Sequence, residues 1–583
     1  MLKIYTSGAY LVQKQSKLDK YCLKIQISEM NRQFLTLVIA SFFLTSCSVA
    51  QSLNKKNNFT RQDSLRGSNG AERAWWDVLH YDVNVTPDYN TKSITGKTTI
   101  QYKVLRGQQS RYMQIDLQRP LMVDSVFYNN KLYINDPSMP YYNEGNVWHI
   151  PLPVMPVNST HSITVVYHGK PKEAIRPPWD GGWVFAKDAK GRPWMTVACQ
   201  GLGASVWYPC KDFQADEPDN GATLTINVPD SLIGVGNGRP DHTSGNTNSR
   251  LRSYTWKVKA PINNYTIIPY IGHYVNWSDT LQGEKGKLDL NYWVLDYDLE
   301  KAKKQFEQVK PMFRAFEYWF GPYPFYEDGY QLIEAPHLGM EHQSAVAYGN
   351  HFQNGYLGRD LSGTGWGMKW DYIIVHESGH EWFANNITTK DVADMWVHEG
   401  FTSYSEALFI EYYYGKHAAN EYVQGLRKEI ANDKPIIGPY GVNREGSGDM
   451  YFKGANILHT VRQVINDDEK FRQILRGLNK DFYHQTVTTK QIEDYFSQKS
   501  GKDLSKLFDQ YLRTNQIPTL QFKSDVGNIK FKWMNCIAGF TMPVKLTNGQ
   551  WINATTAEQK IKLEGTNHSD IDVDKNFYIN VKK

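Results

Sequence analysis

Two short stretches constrain this chain more than anything else in it. Residues 375–382 read Val-His-Glu-Ser-Gly-His-Glu-Trp, a single copy of H-E-x-x-H. On a helix, residues i and i+4 share a face about one turn apart, so His376 and His380 can aim two imidazole nitrogens at one metal ion. Glu377 is not placed to be a third ligand but can reach a water beside that metal. The apolar residues 372–375 in front and Trp382-Phe383 behind predict a buried helix, the rigid support a metal site requires. Zinc needs a third protein ligand and, in a catalytic site, keeps a fourth position open. With eighteen residues intervening after His380 stands Glu399, and a helical pattern continues from it through Tyr404, Leu408 and Ile410. The fold must therefore bring two helices together. Glu406, two turns beyond Glu399 on the same face, is either a holder of the outer nitrogen of a ligating histidine or a solvated helix charge.

These residues carry a resemblance. H-E-x-x-H, eighteen residues, then Glu399 in a W-x-x-E-G-F-x-x-Y-x-E run resembles the aminopeptidase N family of zinc metallopeptidases, part of the thermolysin-like gluzincins. Upstream, Leu338-Gly339-Met340-Glu341-His342 resembles the family's G-x-M-E-N motif, with Leu where Gly is usual and His where Asn is usual. Downstream, Tyr451-Phe452-Lys453-Gly454 resembles the Y-x-K-G segment that carries a catalytic tyrosine. The resemblance spans residues 75–515. It implies one zinc ion on His376, His380 and Glu399, Glu377 as general base, and Tyr451 as donor to the oxyanion. It also implies a substrate groove walled by Gly339 and Met340, in which Glu341 captures the free α-ammonium of a peptide. A fixed carboxylate there would set the distance to the first peptide bond. By the same resemblance Gln200, in Cys199-Gln200, reaches into the site and helps hold that amine; otherwise it is a turn residue.

With 583 residues the chain is too long for one core. At 41% hydrophobic and 21% charged it is not disordered, and a formal charge of +5 without a basic block gives no support for nucleic-acid binding. The 37 Tyr and 17 Trp fit extensive β-surface.

Residues 30–47 read as a targeting segment: Met30-Asn31-Arg32, an apolar run over 34–44, then Leu44-Thr45-Ser46-Cys47, which resembles a bacterial lipobox. The run is too short for a permanent span. Cys47 is then the expected lipidated N-terminus, translation is expected to start at Met30, and the expected location is the bacterial cell envelope, at the outer membrane. Cys22 and Cys47 fall in this leader, leaving Cys199, Cys210 and Cys536, an odd number; a Cys199–Cys210 bridge is one option that spacing does not decide.

The expected organisation is a leader over 1–47, a polar flexible tether over 48–72, an N-terminal antiparallel β domain over 73–278, a mostly helical thermolysin-like peptidase domain over 279–516, and a small β-sandwich over 517–583. Alternating runs at 81–85, 93–102, 161–168, 223–228 and 254–258 predict the strands of the first domain. Phe306, Val309, Phe313, Phe316 and Phe320 predict one helix over 299–320. No large helical C-terminal domain of the kind many family members have is expected.

The chemistry the resemblance implies is metal-assisted hydrolysis of the N-terminal peptide bond, with free-amino peptides as the expected substrates. A zinc endopeptidase of the same clan and a catalytically idle peptide- or glycan-binding surface lipoprotein are the alternatives. Oligomeric state, preferred first residue and any epoxide hydrolysis are not legible.

Overall fold

The computed structural model describes residues 59–133, 138–246, 250–525, 528–562 and 571–583. Met30, Cys22, the lipobox and Cys47 lie outside the described residues. No described helix is long and apolar enough to cross a membrane.

The folded body starts earlier than composition suggests. Helix α1 (Arg61–Gly67) lies within the stretch expected to be tether. Its Arg66 donates to the Gly201 carbonyl at 2.7 Å and pairs with Asp212 at 3.3 Å. Gly67 sits so close to the Val442–Asn443 backbone that a Cβ would fall 2.1 Å from it. Polar residues read as solvated have specific partners here, and Arg73 is fully buried against Asp116.

Strand Trp76–Asp88 alternates buried and half-exposed side chains, as one covered face requires. It is central to an eight-stranded sheet, pairing antiparallel with Ser93–Val104 and parallel with Ala222–Pro229. That parallel pair departs from the antiparallel expectation: the two strands are joined by a long excursion, not by a hairpin, and no local turn signal reports it. A four-stranded sheet containing Gly182–Lys187 and Pro193–Ala198 carries the chain to Gln200.

The expected boundary at 278/279 falls inside strand Tyr274–Gly283. That strand pairs along its whole length with Gly286–Leu295, so the division lies before Tyr274. The hairpin opens a five-stranded sheet that continues through Tyr330–Glu334 and Val346–Tyr348 and ends on Gly339–Met340. The last is an edge strand, paired on one side with Val346–Tyr348.

The predicted helix over 299–320 is interrupted. Helices α2 (Leu299–Gln305) and α3 (Val309–Phe320) are separated by a 3₁₀ turn at Phe306–Gln308. Pro311, in the first turn of α3, has no N–H to donate and would crowd the carbonyl of residue 307 in a continuous helix. Then follow α4 (Tyr372–Gly379), α5 (Trp396–Tyr414), α6 (Lys416–Gly425), α7 (Phe452–Ile465), α8 (Asp468–Asp481), α9 (Thr489–Ser500) and α10 (Ser505–Arg513). Phe313, Phe316 and Phe320 of α3 surround Trp382, with ring centroids 5.6–6.1 Å apart, so the residue after the metal motif is clamped. Residues 519–582 hold a four-stranded sheet and a two-stranded one among the described residues, and their core is continuous with that of the helices.

Candidate active site

Helix α4 is nearly all buried, and its start is fixed by Asp371. That carboxylate accepts from the Ile373 and Ile374 amides at 3.0 and 3.3 Å, from Gln305 Nε2 at 2.7 Å, from the Tyr348 hydroxyl at 2.8 Å and from Asn350 Nδ2 at 2.9 Å. The cap satisfies orphan amides and sets the helix rotation. The far end breaks abruptly: Phe383 is extended and Ala384 has φ 145°, a conformation L side chains rarely adopt. The break turns the Phe383 carbonyl back toward His380, whose Nδ1 lies 3.0 Å from it.

His376 and His380 therefore face one point with their Nε2 atoms, and α5 brings Glu399 to it. Glu399 Oε2 lies 3.4 Å from His380 Nε2 and 3.8 Å from His376 Nε2. One ligand atom from each residue lies within 4.8 Å of the others. Glu406 Oε1 is 2.7 Å from His376 Nδ1, and its other oxygen accepts from the Tyr422 hydroxyl at 2.7 Å. Glu406 is thus buried behind a histidine, not solvated; Tyr422 is a partner the sequence reading missed.

A divalent cation fits this donor set on two counts. Glu399 Oε2 is buried with no hydrogen-bond partner, an arrangement that is costly unless something else meets it. Burial opposes charge on both sides, yet His380 and His376 hold Glu399 well below the usual carboxylate range, and Glu399 and Glu406 raise His376 well above the usual imidazole range. The carboxylates call for positive charge where the imidazoles converge. The ligand types, two imidazoles and one carboxylate, are those of a catalytic zinc site.

Glu377 stands over the edge strand: a Cβ on Gly339 would fall 2.7 Å from Glu377 Oε1. Glycine is required there so that the carboxylate can approach the backbone. Burial pushes the Glu377 carboxyl up to about 7 against the opposing pull of His376 and His380, a value suited to taking and returning a proton near neutrality.

Glu341, at the end of the same strand, is 2% exposed, and its Oε1 accepts from Gln200 Nε2 at 2.7 Å and the Tyr265 hydroxyl at 2.9 Å. Gln200 Nε2 also lies 3.2 Å from Glu399 Oε1. Both donors come from the β domain and cross to the catalytic one. Glu341, Glu377 and His380 form a second group whose polar atoms lie within 4.8 Å of one another. Met340 is buried and borders the cleft. His342 does not border it; fully buried, its Nδ1 is 2.6 Å from the Tyr270 hydroxyl.

Tyr451 starts α7 and lies half-buried, its ring stacked on His376 with centroids 6.2 Å apart. Burial, then Glu399 and Glu341, push its phenol well above the ordinary value, so it remains a proton donor. Two glycines set its place. Gly400 and Gly454 meet where α5 crosses α7: a Cβ on Gly454 would lie 2.7 Å from Gly400 Cα, and one on Gly400 3.0 Å from Gly454 Cα. The residue after the third ligand and the residue three after the tyrosine thus form one contact.

These side chains line a cleft of about 730 Å³. Glu445, which sequence reasoning passed over, lines it too, and burial followed by Glu399 and Glu341 raises its carboxyl to about 6. Five carboxylates, Asp180 among them, against two imidazoles and Arg444 suit a cleft that takes cations. Cys199 and Cys210 are buried free thiols, so no bridge forms between them.

Residues 297–511 match the peptidase family M1 domain. The chain is 22% identical over 480 residues to leukotriene A-4 hydrolase of Xenopus laevis, covering 77% of this chain and 73% of that one. It is 23% identical over 299 residues to leucine aminopeptidase 2 of Ajellomyces capsulatus, 48% of this chain and 44% of that one, so it spans less than half of the latter. In fold it is similar to a two-domain M1 zinc metallopeptidase mutant bound to L-tryptophan (TM-score 0.64, 20% identity, 76% of this chain and 95% of that one). It is also similar to an M1 zinc metallopeptidase mutant of Deinococcus radiodurans bound to a Tyr-Ser-Ala substrate (TM-score 0.62, 19% identity, 77% and 96%).

Proposed function

Residues 297–511 match the peptidase family M1 domain, and on that premise we propose that the chain is a zinc aminopeptidase removing the first residue from peptides with a free N-terminus. The observation that carries the reading is Glu341: a buried carboxylate, pinned by Gln200 and Tyr265, close to the Glu377 base. An ammonium bound there leaves room for one residue before the reacting bond.

His376, His380 and Glu399 would hold the zinc, which when bound polarises the scissile carbonyl and makes a nearby water acidic enough to react at neutral pH. Glu406 and the Phe383 carbonyl fix the two imidazoles with Nε2 free for the metal. Glu377 takes the proton of the attacking water and delivers it to the leaving amine. Tyr451 donates to the oxygen that becomes negative. Glu341 anchors the α-ammonium, and Gln200 and Tyr265 keep its carboxylate from swinging away.

The test is a pair of peptides differing only in N-acetylation. The wild type should cleave the free-amino peptide and spare the acetylated one, and Glu341→Ala should lose at least about 2 kcal/mol of that discrimination. Equal cleavage of both by the wild type would make the protein an endopeptidase of the same clan. We further propose a lipid anchor on Cys47 in the cell envelope, on the strength of the lipobox-like Leu44-Thr45-Ser46-Cys47. An unmodified Cys47 in the native protein would refute it.

A further inference from the structure

We propose that a second cavity beside the catalytic cleft binds the downstream part of the substrate, so that the protein favours peptides of about four residues or more over dipeptides. The inference rests on the aminopeptidase reading and adds a direction to it. The α-ammonium belongs at Glu341; the leaving amine belongs at Glu377, whose carboxylate stands over Gly339. The substrate therefore runs from Glu341 toward Gly339, antiparallel to the edge strand, whose outer side has no strand beside it among the described residues. An extended chain advances about 3.4 Å per residue, so two or three residues past the cleaved bond carry it beyond Leu338 to His337.

There the second cavity opens, about 650 Å³, lined by Trp179, Trp194, Tyr297, His337 and Phe352. Trp179 and Leu338 line both cavities, so the two adjoin along these residues. His337 is 6% exposed, its ring nitrogens are buried, and it forms part of the cavity wall. Burial lowers its pKa to about 4, so at neutral pH it is an uncharged ring in that wall. Trp179 is 69% exposed at the lip, an unfavourable place for an indole unless something covers it. Its loop is held in that posture: the Asp180 carboxylate accepts from the Ile175 and Arg176 amides at 2.7 and 2.9 Å, and Lys172 Nζ donates to the Asp180 carbonyl at 2.8 Å. Aromatic walls that take many side chains suit peptides of varied sequence.

The experiment uses the zinc-loaded full chain silenced by Glu377→Gln and measures by calorimetry the binding of alanine peptides of two and six residues. The hexapeptide should bind roughly tenfold tighter or more. Ala189→Trp, which fills the second cavity, should abolish that advantage and leave dipeptide affinity intact; Trp179→Ala should weaken the hexapeptide. Equal affinity for the two lengths, or an advantage that survives both substitutions, overturns the proposal. Cleavage of free and acetylated hexapeptides by the active protein is read separately. Failure there removes the aminopeptidase reading, and with it the direction assumed here, whatever the length dependence.

Discussion

In the proposed reaction Tyr451 and Glu377 divide the work by protonation state. A phenol held well above its ordinary pKa keeps its proton and can only donate, whereas a carboxyl near 7 can both take and return one. Tyr451→Phe should therefore lower kcat on the order of 10²–10³-fold with KM nearly unchanged, as expected of a bond made only in the transition state. A loss confined to KM would contradict that role. A second buried carboxyl, Glu334, gives a stability prediction. Burial and the neighbouring Asp298 push it up to about 8 from an ordinary 4.5. Between those values the native protein keeps a proton that the unfolded chain has released. Its contribution is complete below about pH 4.5 and is lost as pH rises through about 8. In urea titrations, Glu334→Gln should flatten the fall in stability from pH 5 to pH 8.5; an unchanged slope would assign the proton elsewhere.

At the scale of elements, the catalytic geometry depends on two helices touching backbone to backbone. Gly400→Ala places a methyl about 3 Å from Gly454 Cα, which α5 or α7 must give way to. The expected cost is about 1–3 kcal/mol in stability, with a fall in kcat larger than that loss explains, because Tyr451 moves relative to Glu399. Full activity in a folded Gly400→Ala protein would show that the contact does not set the phenol's place. The ligands were legible in the sequence because helical spacing is a local property: His376 and His380 share a face on any helix, and Glu406 follows Glu399 by two turns. Glu341, Tyr451 and Gln200 were legible only through resemblance, since nothing local brings residue 200 to within bonding distance of residue 341. Tyr265, Tyr422 and Glu445 were not legible at all: a tyrosine among 37 carries no local sign that its hydroxyl will meet a buried glutamate. Pro311 stands in the sequence, but the phenylalanine period runs through it unbroken and carries no sign of the interruption. The start of the folded body at Arg61 was missed because charge was read as solvation, whereas Arg66 is bound to Asp212.

Across the whole molecule, the metal ligands do two jobs, since an ion that binds only the native state adds to its stability. At a free zinc concentration of 100 times Kd the gain is about 2.7 kcal/mol. Stripping the ion with a chelator should lower Tm by several degrees, and zinc should restore it. Glu377→Gln should keep that response, and His376→Ala should lose most of it; an unchanged Tm on chelation would mean the site contributes nothing to the fold. On the proposed aminopeptidase reading, the chemistry sits on helices locked together at Gly400 and Gly454, while the choice of substrate end depends on Gln200 and Tyr265 reaching over from the β domain. Reactivity and selectivity thus have separate mechanical supports. Gentle loosening of the seam between the domains, by warming or mild denaturant, should make the protein indiscriminate before it makes it inert, and acetylated peptides would begin to be cut while total turnover still held.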